Sequence, residues 1–310
     1  MMDSETNQRR LTLPVTDALA GRTTLELLRR ELGLSSGVVK RAKLLPDGIL
    51  LDHAPVFTNV RPQTGQLLSI RLDDGQHGHI PPVEGPLDIA HEDEDILILN
   101  KPAGIPVHPS QGHHGDTLGN FLAAYFKNRG IPFVFRPVNR LDLGTSGVMV
   151  VAKHAHAQEV LKRQLHTHAF RRHYLAVCDH CPPSLSGMVD APIGRADASV
   201  LKREIRPDGA PSRTHYRVVR TMGTRCLVEL ELETGRTHQI RVHMAFLGCP
   251  LTGDFLYGTE QPGVIGRTAL HSARLSLFHP ITGEAIYKAA PLPFDMARLC
   301  GEDTPWAGGL

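Results

Sequence analysis

A chain of 310 residues, 41% hydrophobic and 21% charged, has ordinary globular composition and room for one substantial core plus a small appended domain. Its net charge of +2 and pI near 8.3 give no bulk electrostatic announcement of a nucleic-acid partner, and no apolar run is long enough to span a bilayer. The polar start M-M-D-S-E-T-N-Q-R-R lacks an apolar export core. Together with an odd count of five cysteines, it leads us to expect reduced thiols in a soluble cytoplasmic protein. Charge distribution says more than net charge. Lys153 to His173 carries five Lys/Arg and five His against one Glu, and Arg195 to Arg220 carries seven Lys/Arg against three acids. Glu84 to Asp95 holds six acids and no Lys or Arg. Such segregation permits a one-sided positive surface, as a phosphate backbone requires, and it equally fits solvated element faces.

Residues 1–72 read as a small α+β unit. Leu11 and Leu13 alternate with polar neighbours. Leu25, Leu28 and Leu32 then recur at helical spacing, and Ser35 or Ser36 can cap a second short helix through Lys43. In that helix Val38, Val39 and Ala42 turn inward, with Lys40, Arg41 and Lys43 outward. Short strands follow near 48–51 and 67–71. The stretch 73–86, dense in Gly, Pro and acids, reads as a linker.

The main domain is expected over 87–300. Ile96 to Leu99 predicts a buried strand, after which Pro102, Gly104, Pro106 and Pro109 stiffen a loop and Lys101 is thrown out at the strand end. Asp116 or Thr117 can cap a helix to about Phe126. Val148 to Ala152 is a second buried strand. Just before it, Arg140 and Asp142 precede the turn Gly144-Thr145-Ser146-Gly147, so a carboxylate sits at the edge of a core strand. A carboxylate is costly to bury unpaired; the pattern fits either an ion pair that pins the turn or a functional site.

Ala157, Val160, Leu161 and Leu165 lie on one face of an expected helix over 155–168, and Arg171 to Val177 is a basic-led strand. Segments 214–219 and 226–232 alternate like antiparallel strands. Thr237 can cap a helix to Leu247, with Gly248 as a left-handed stop. Ala269 to Phe278 alternates again, and 301–310, with Trp306, reads as a frayed tail.

Three of these stretches together resemble the RluA-type pseudouridine synthases. The family's H-R-L-D-x-x-T-S-G loop matches N-R-L-D-L-G-T-S-G at 139–147, with Asn139 in place of the usual His. K-P-x-G-x-x-V-H matches from Lys101. G-R-T-H-Q-I-R-x-H-x-x-x-x-G-x-P-x-x-G-D-x-x-Y-G matches 235–258 almost throughout. The resemblance, spanning roughly 87–291, implies a mixed, largely antiparallel sheet with flanking helices. It also implies isomerisation of uridine to pseudouridine in structured RNA, ribosomal more than transfer RNA, on an everted base.

By the same resemblance Asp142 is the catalytic carboxylate, acting on the ribose as nucleophile or as base. Tyr174, in a Y-x-A-x-V frame, stacks under the base and takes part in proton transfer. Arg241 pairs with Asp142, and physically an adjacent fixed cation favours the charged form of an acid. Arg140 is a candidate to fill the gap left in the RNA stack. Asn139, Lys101, Thr145, Arg236 and His238 are placed toward substrate. The N-terminal unit is similar to the RNA-binding module that often precedes this domain. Isomerisation changes no oxidation state and imports no group, so neither cofactor nor metal is expected, and a monomer suffices.

Two rivals stand beside this reading. One is an RNA-binding assembly factor without catalysis. The other is a hydrolase of glycosidic bonds, which needs a second carboxylate, for which Asp254 is the motif-borne candidate. Other signals point away from chemistry. Cys178-Asp179-His180-Cys181 is half a zinc knuckle with no second pair following. His238 and His243 are five apart, the wrong spacing for a shared metal on a helix, and no nucleotide fingerprint is present.

Overall fold

A computed structural model describes residues 8–73, 77–197 and 201–301; the expected tail, Trp306 included, lies outside them but for Gly301. The first part holds β1 (Arg10–Pro14), α1 (Thr24–Arg30), α2 (Ser36–Ala42), β2 (Ile49–Leu51), β3 (Ala54–Pro55) and β4 (Leu67–Arg71), with an antiparallel sheet ordered β1-β4-β2-β3. Thr23 and Glu26 form a capping box that starts α1. The phase of α1 differs from expectation. Thr24, Leu27 and Leu28 face inward, and Leu25 is 39% exposed, because the row that packs is 24, 27 and 28. Ser35 caps α2, whose Val38, Val39 and Ala42 are buried as their spacing predicts.

The remainder holds β5 (Ile89–Glu92), β6 (Ile96–Lys101), α3 (Leu118–Lys127), β7 (Arg136–Pro137), β8 (Ser146–Ala152), α4 (Ala155–Gln164), β9 (Arg171–Cys178) and β10 (Ser186–Asp190). It continues with β11 (Ile193–Arg195), β12 (Arg203–Ile205), β13 (Arg213–Met222), β14 (Arg225–Leu232), α5 (Gln239–Phe246), β15 (Leu270–Phe278), β16 (Ala285–Ala289) and α6 (Phe294–Leu299). Ten of these strands form one sheet along β10-β13-β14-β9-β15-β8-β6-β5, with β16 on β15 and β7 on β8. Every pairing is antiparallel except a short parallel seam between β15 and β8. The class is α+β, with a mixed sheet.

The continuous apolar runs of β6 and β8 follow from cover on both faces. Leu97, Leu99, Met149 and Val151 pack with Leu118, Leu122 and Phe126 of α3, while Ile96, Ile98, Val148 and Val150 pack with Ala157 and Leu161 of α4. Each such fully buried aliphatic contributes about 2 kcal/mol. Of the two expected candidates, Asp116 and Thr117, it is Thr117 that caps α3, whereas α4 is capped by the His154 ring and ends at Gln164, short of His168. Residues 77–86 lie along α3: Asn120 Nδ2 donates to Pro81 O at 2.8 Å, and a Cβ on Gly85 would sit 2.3 Å from the Phe121 ring. Arg9 ties the first part to the second through a two-pronged ion pair with Asp95 at 2.7 and 2.8 Å.

Candidate active site

The Asp142 loop is held from beneath. Thr145 N donates to Asp142 O at 3.0 Å, closing the turn, and Gly104 N donates to Leu143 O at 2.8 Å. Arg267, itself clamped by Asp295, reaches Gly144 O at 3.0 Å. Gly147 then enters β8 at φ +110°, and a Cβ there would lie 2.1 Å from Ser272 O. Only glycine allows the loop's exit strand to approach β15 so closely.

Lys101 departs from expectation. It is 1% exposed, and its Nζ donates to the carbonyls of Pro102 and Ile105, both at 2.8 Å. The chain turns back at Pro102 and folds the amine under the loop, so Lys101 supports the site and does not line it. Burial, then the neighbouring Arg267, lower its pKa to about 8.

Above the loop, a cleft of about 1030 Å³ is lined by Asn139, Arg140, Asp142, Thr145, Tyr174, Arg236, His238 and Arg241 among others. Among the described residues Asp142 is its one carboxylate, against five Lys/Arg cations that include Lys162 and Arg172. Neither of those two cations was singled out from the sequence, because Lys162 reads as the solvent face of α4 and Arg172 as an ordinary strand residue.

Arg241 rises from α5 with its guanidinium buried between two carboxylates. Its Nε and Nη2 hold Asp254 at 2.6 and 2.7 Å, and its Nη1 lies 3.6 Å from Asp142 Oδ2. The sequence-based pairing with Asp142 is therefore the looser half of a bridge. Asp254, fully buried, also accepts from Leu256 N and Tyr257 N. With its oxygens occupied and no exposure, it cannot serve as the second acid of a hydrolase. The Asp142 side chain keeps 35% of its surface exposed, toward the cleft.

His238, not Thr237, occupies the N-cap of α5, at φ +58° and without a capping hydrogen bond. A left-handed non-glycine residue costs on the order of 1–3 kcal/mol and persists only where its surroundings fix it. Here Nδ1 meets the Tyr257 hydroxyl at 2.9 Å, and Nε2 faces Asp142 Oδ2 at 3.8 Å. Burial, with Arg241 adding to it and Asp142 opposing, holds the imidazole below its usual range. Gly248 ends the segment at φ +75°, as its sequence suggests.

Tyr174 stands on β9 opposite Leu230 and Ser272, and burial raises its phenol, so it stays neutral. Two residues of the lining each bury a donor that lacks a protein partner: Asn139 Nδ2, whose Oδ1 accepts from Val150 N at 2.9 Å, and Arg172 Nε. Arg140 and Arg236 are exposed on the cleft walls, and Thr145 is buried behind the loop. Of the residues expected at the site, all but Lys101 line one cleft.

A family model described as RNA pseudouridylate synthase matches residues 95–246. A Bacillus subtilis protein named uncharacterized RNA pseudouridine synthase YhcT is 41% identical over 254 residues, covering 81% of this chain and 84% of that protein. The chain belongs to the RluA-type RNA pseudouridine synthases. It is an RNA-modifying isomerase. A protein of Zymomonas mobilis named ribosomal large subunit pseudouridine synthase D is 42% identical to this synthase over 235 residues, 71% of this chain and 74% of that one. Among solved structures, human RNA pseudouridylate synthase domain containing 4 is 26% identical with a TM-score of 0.56, covering 70% of the synthase and 92% of that chain. No helix among the described residues of the synthase is long and apolar enough to cross a membrane.

Proposed function

We propose that this synthase modifies a uridine of ribosomal RNA, everted into the cleft, with Asp142 as the carboxylate that acts on the ribose. The observation that carries this reading is the Arg241 bridge: Asp254 saturates one side of the guanidinium, and Asp142 is left partly exposed on the other, facing a cleft whose lining includes five Lys/Arg side chains. Such a lining attracts phosphates, and one carboxylate among cations is positioned at the ribose of a nucleotide held there. Reaching C1′ requires the uridine to leave its stack, at a cost of a few kcal/mol.

Tyr174 presents its ring beneath the base, and its neutral hydroxyl relays the proton from carbon-5. The Tyr257 hydroxyl accepts from Arg203 N at 2.9 Å and offers its own proton to His238 Nδ1. That leaves the neutral imidazole protonated on Nε2, the nitrogen that faces Asp142. Arg140, exposed on the cleft wall, is assigned to filling the gap left in the RNA stack, and exposed Arg236 to the substrate beside it. Breaking and remaking one glycosidic bond within a nucleotide transfers no electrons, so the chemistry needs neither metal nor cofactor. Every side chain named comes from one copy of the chain, and a monomer suffices.

The ribosomal target is suggested by the relatives whose names state it. The unit of residues 1–72, with exposed Lys40 on α2 and Lys43 at its C-cap, is assigned to holding the same RNA outside the cleft. Release of tritium from ribosomal RNA labelled at carbon-5 of uridine tests the proposal. Label must appear with the native protein and not with Asp142→Asn. Free uracil without pseudouridine, or tritium release that survives Asp142→Asn, rejects it.

A further inference from the structure

Four of the five cysteines converge at the far end of β9, outside the cleft. Cys178 ends β9 directly opposite Cys226 across the antiparallel β9–β14 pair, which places their Cα atoms about 4.5–5.5 Å apart. Cys181 lies in the following turn. Its Sγ donates to Arg225 O at 3.8 Å, while Cys226 Sγ donates to His180 O at 3.5 Å. Each thiol thus reaches the carbonyl of the residue preceding the other cysteine, so the two sulfurs lie side by side. Cys249 arrives from the segment after α5, two residues before Leu251, which bridges Cys178. Cys178, Cys226 and Cys249 are buried, and Cys181 alone of the four is exposed.

Sequence spacing showed only half a metal knuckle here, because its neighbours come from distant strands. The arrangement is nonetheless one of adjacent pairs. A Zn–S₄ centre holds its sulfurs about 3.8 Å apart, from bonds of about 2.3 Å. Among the described residues the one group of three potential ligand atoms mutually within 4.8 Å is Asp93, Asp95 and His279, not a cysteine trio.

We propose that Cys181 and Cys226 are a peroxide-responsive dithiol. Exposed Cys181 is the entry sulfur. Its thiolate attacks a peroxide oxygen, the O–O bond breaks, and the sulfur becomes a sulfenic acid as the peroxide is reduced to water. Cys226 thiolate then attacks that sulfur; the S–S bond forms, the S–O bond breaks, and the oxygen leaves as a second water. Two thiols and one peroxide give one disulfide and two waters. Contact with the Cys178 and Cys181 thiols pulls Cys226 below the ordinary thiol range, while burial and Cys226 push Cys181 up. Oxidation quickens as rising pH deprotonates Cys181, the attacking sulfur of the first step.

The test treats the reduced full-length chain with equimolar hydrogen peroxide, alkylates it under denaturing conditions and maps the thiols by mass. The wild type is expected to lose 2 of its 5 alkylatable thiols as a linked Cys181–Cys226 peptide that dithiothreitol reverses. Cys181→Ser, at an exposed position, should keep its remaining thiols free. Cys226→Ala should accumulate a sulfenic acid on Cys181 that a dimedone-type reagent traps. Over-oxidation of wild-type Cys181 with Cys226 still alkylatable overturns the proposal. So does stoichiometric zinc in the purified protein that disappears in Cys181→Ser.

Discussion

Two arginines in this molecule grip buried carboxylates, and only one of the grips is incomplete. Arg9 holds Asp95 with two bonds, and Asp95 is closed further by His154 Nε2 at 2.9 Å, at 3% exposure. That cluster joins the first part of the chain to the start of β6 and to the cap of α4, and both Asp95 oxygens are already bonded. Arg241 closes just as tightly on Asp254 but keeps Asp142 at 3.6 Å, with a third of that side chain open to the cleft. The same residue types thus build a latch in one place and a candidate reactive centre in the other. Chemistry belongs where the second carboxylate is held in reach and left uncovered.

The sharpest way to break that contrast is Asp142→Asn. Turnover should fall roughly 10³-fold, within the range of acid-base groups, with RNA affinity changed about twofold or less; single-turnover tritium release and filter binding measure the two separately. If affinity collapses while turnover per bound RNA survives, the open carboxylate is a binding element only. Next, Asp254→Ala leaves the Arg241 guanidinium buried without its closest partner. Removing one member of a buried pair costs about 3–5 kcal/mol, readable as a lower urea midpoint. A loss below about 1 kcal/mol would mean that Asp142 alone satisfies the arginine.

Lys101 extends the comparison to a buried cation held by carbonyls alone. Its pKa is lowered from 10.5 to about 8. Between those values the unfolded chain binds a proton that the native one does not, so stability rises with pH across this window by about 2–3 kcal/mol. Urea titrations at pH 7.5 and 10.5 should show the rise in the wild type and lose it in Lys101→Met. The smallest effect concerns the closed latch. Burial works against ionised Asp95, but His154 and Arg9 outweigh it and bring the pKa from 3.8 to about 2. The resulting stability is present above pH 3.8 and is lost as pH falls through about 2. Allowing for solvent screening, it amounts to about 1–2 kcal/mol. In Arg9→Ala the acid unfolding midpoint should move to higher pH, with turnover at neutral pH unchanged. A drop in turnover would make the latch part of the site.

Signals local in the chain were legible in advance. The continuous apolar runs marked β6 and β8 as buried, and Thr117, Ser35 and Gly248 marked helix ends. Whatever depended on distant pairing was not. Asp254 looked like a spare acid until Arg241 was seen to occupy it. Lys101 seemed to project outward because a strand end does not reveal that the following proline loop folds back over it. Arg267 beneath Gly144, the His154 cap of α4 and the meeting of Cys181 with Cys226 leave no pattern in spacing. The misplaced phase of α1 has a simpler source: a helix of seven residues offers too few turns for periodicity to choose between Leu25 and Leu27.

The parallel seam has a consequence for biosynthesis. His271 and Ser272 are in register with Ser146 and Gly147, and two strands running the same way cannot be joined by a hairpin. The stretch bearing Asp142 and the stretch bearing Tyr174 and Arg241 can each begin pairing as antiparallel ribbons. They acquire a common floor only after β15 has left the ribosome. A chain that stops short of about residue 272 therefore carries Asp142, Tyr174 and Arg241 without the strand that joins β8 to β9.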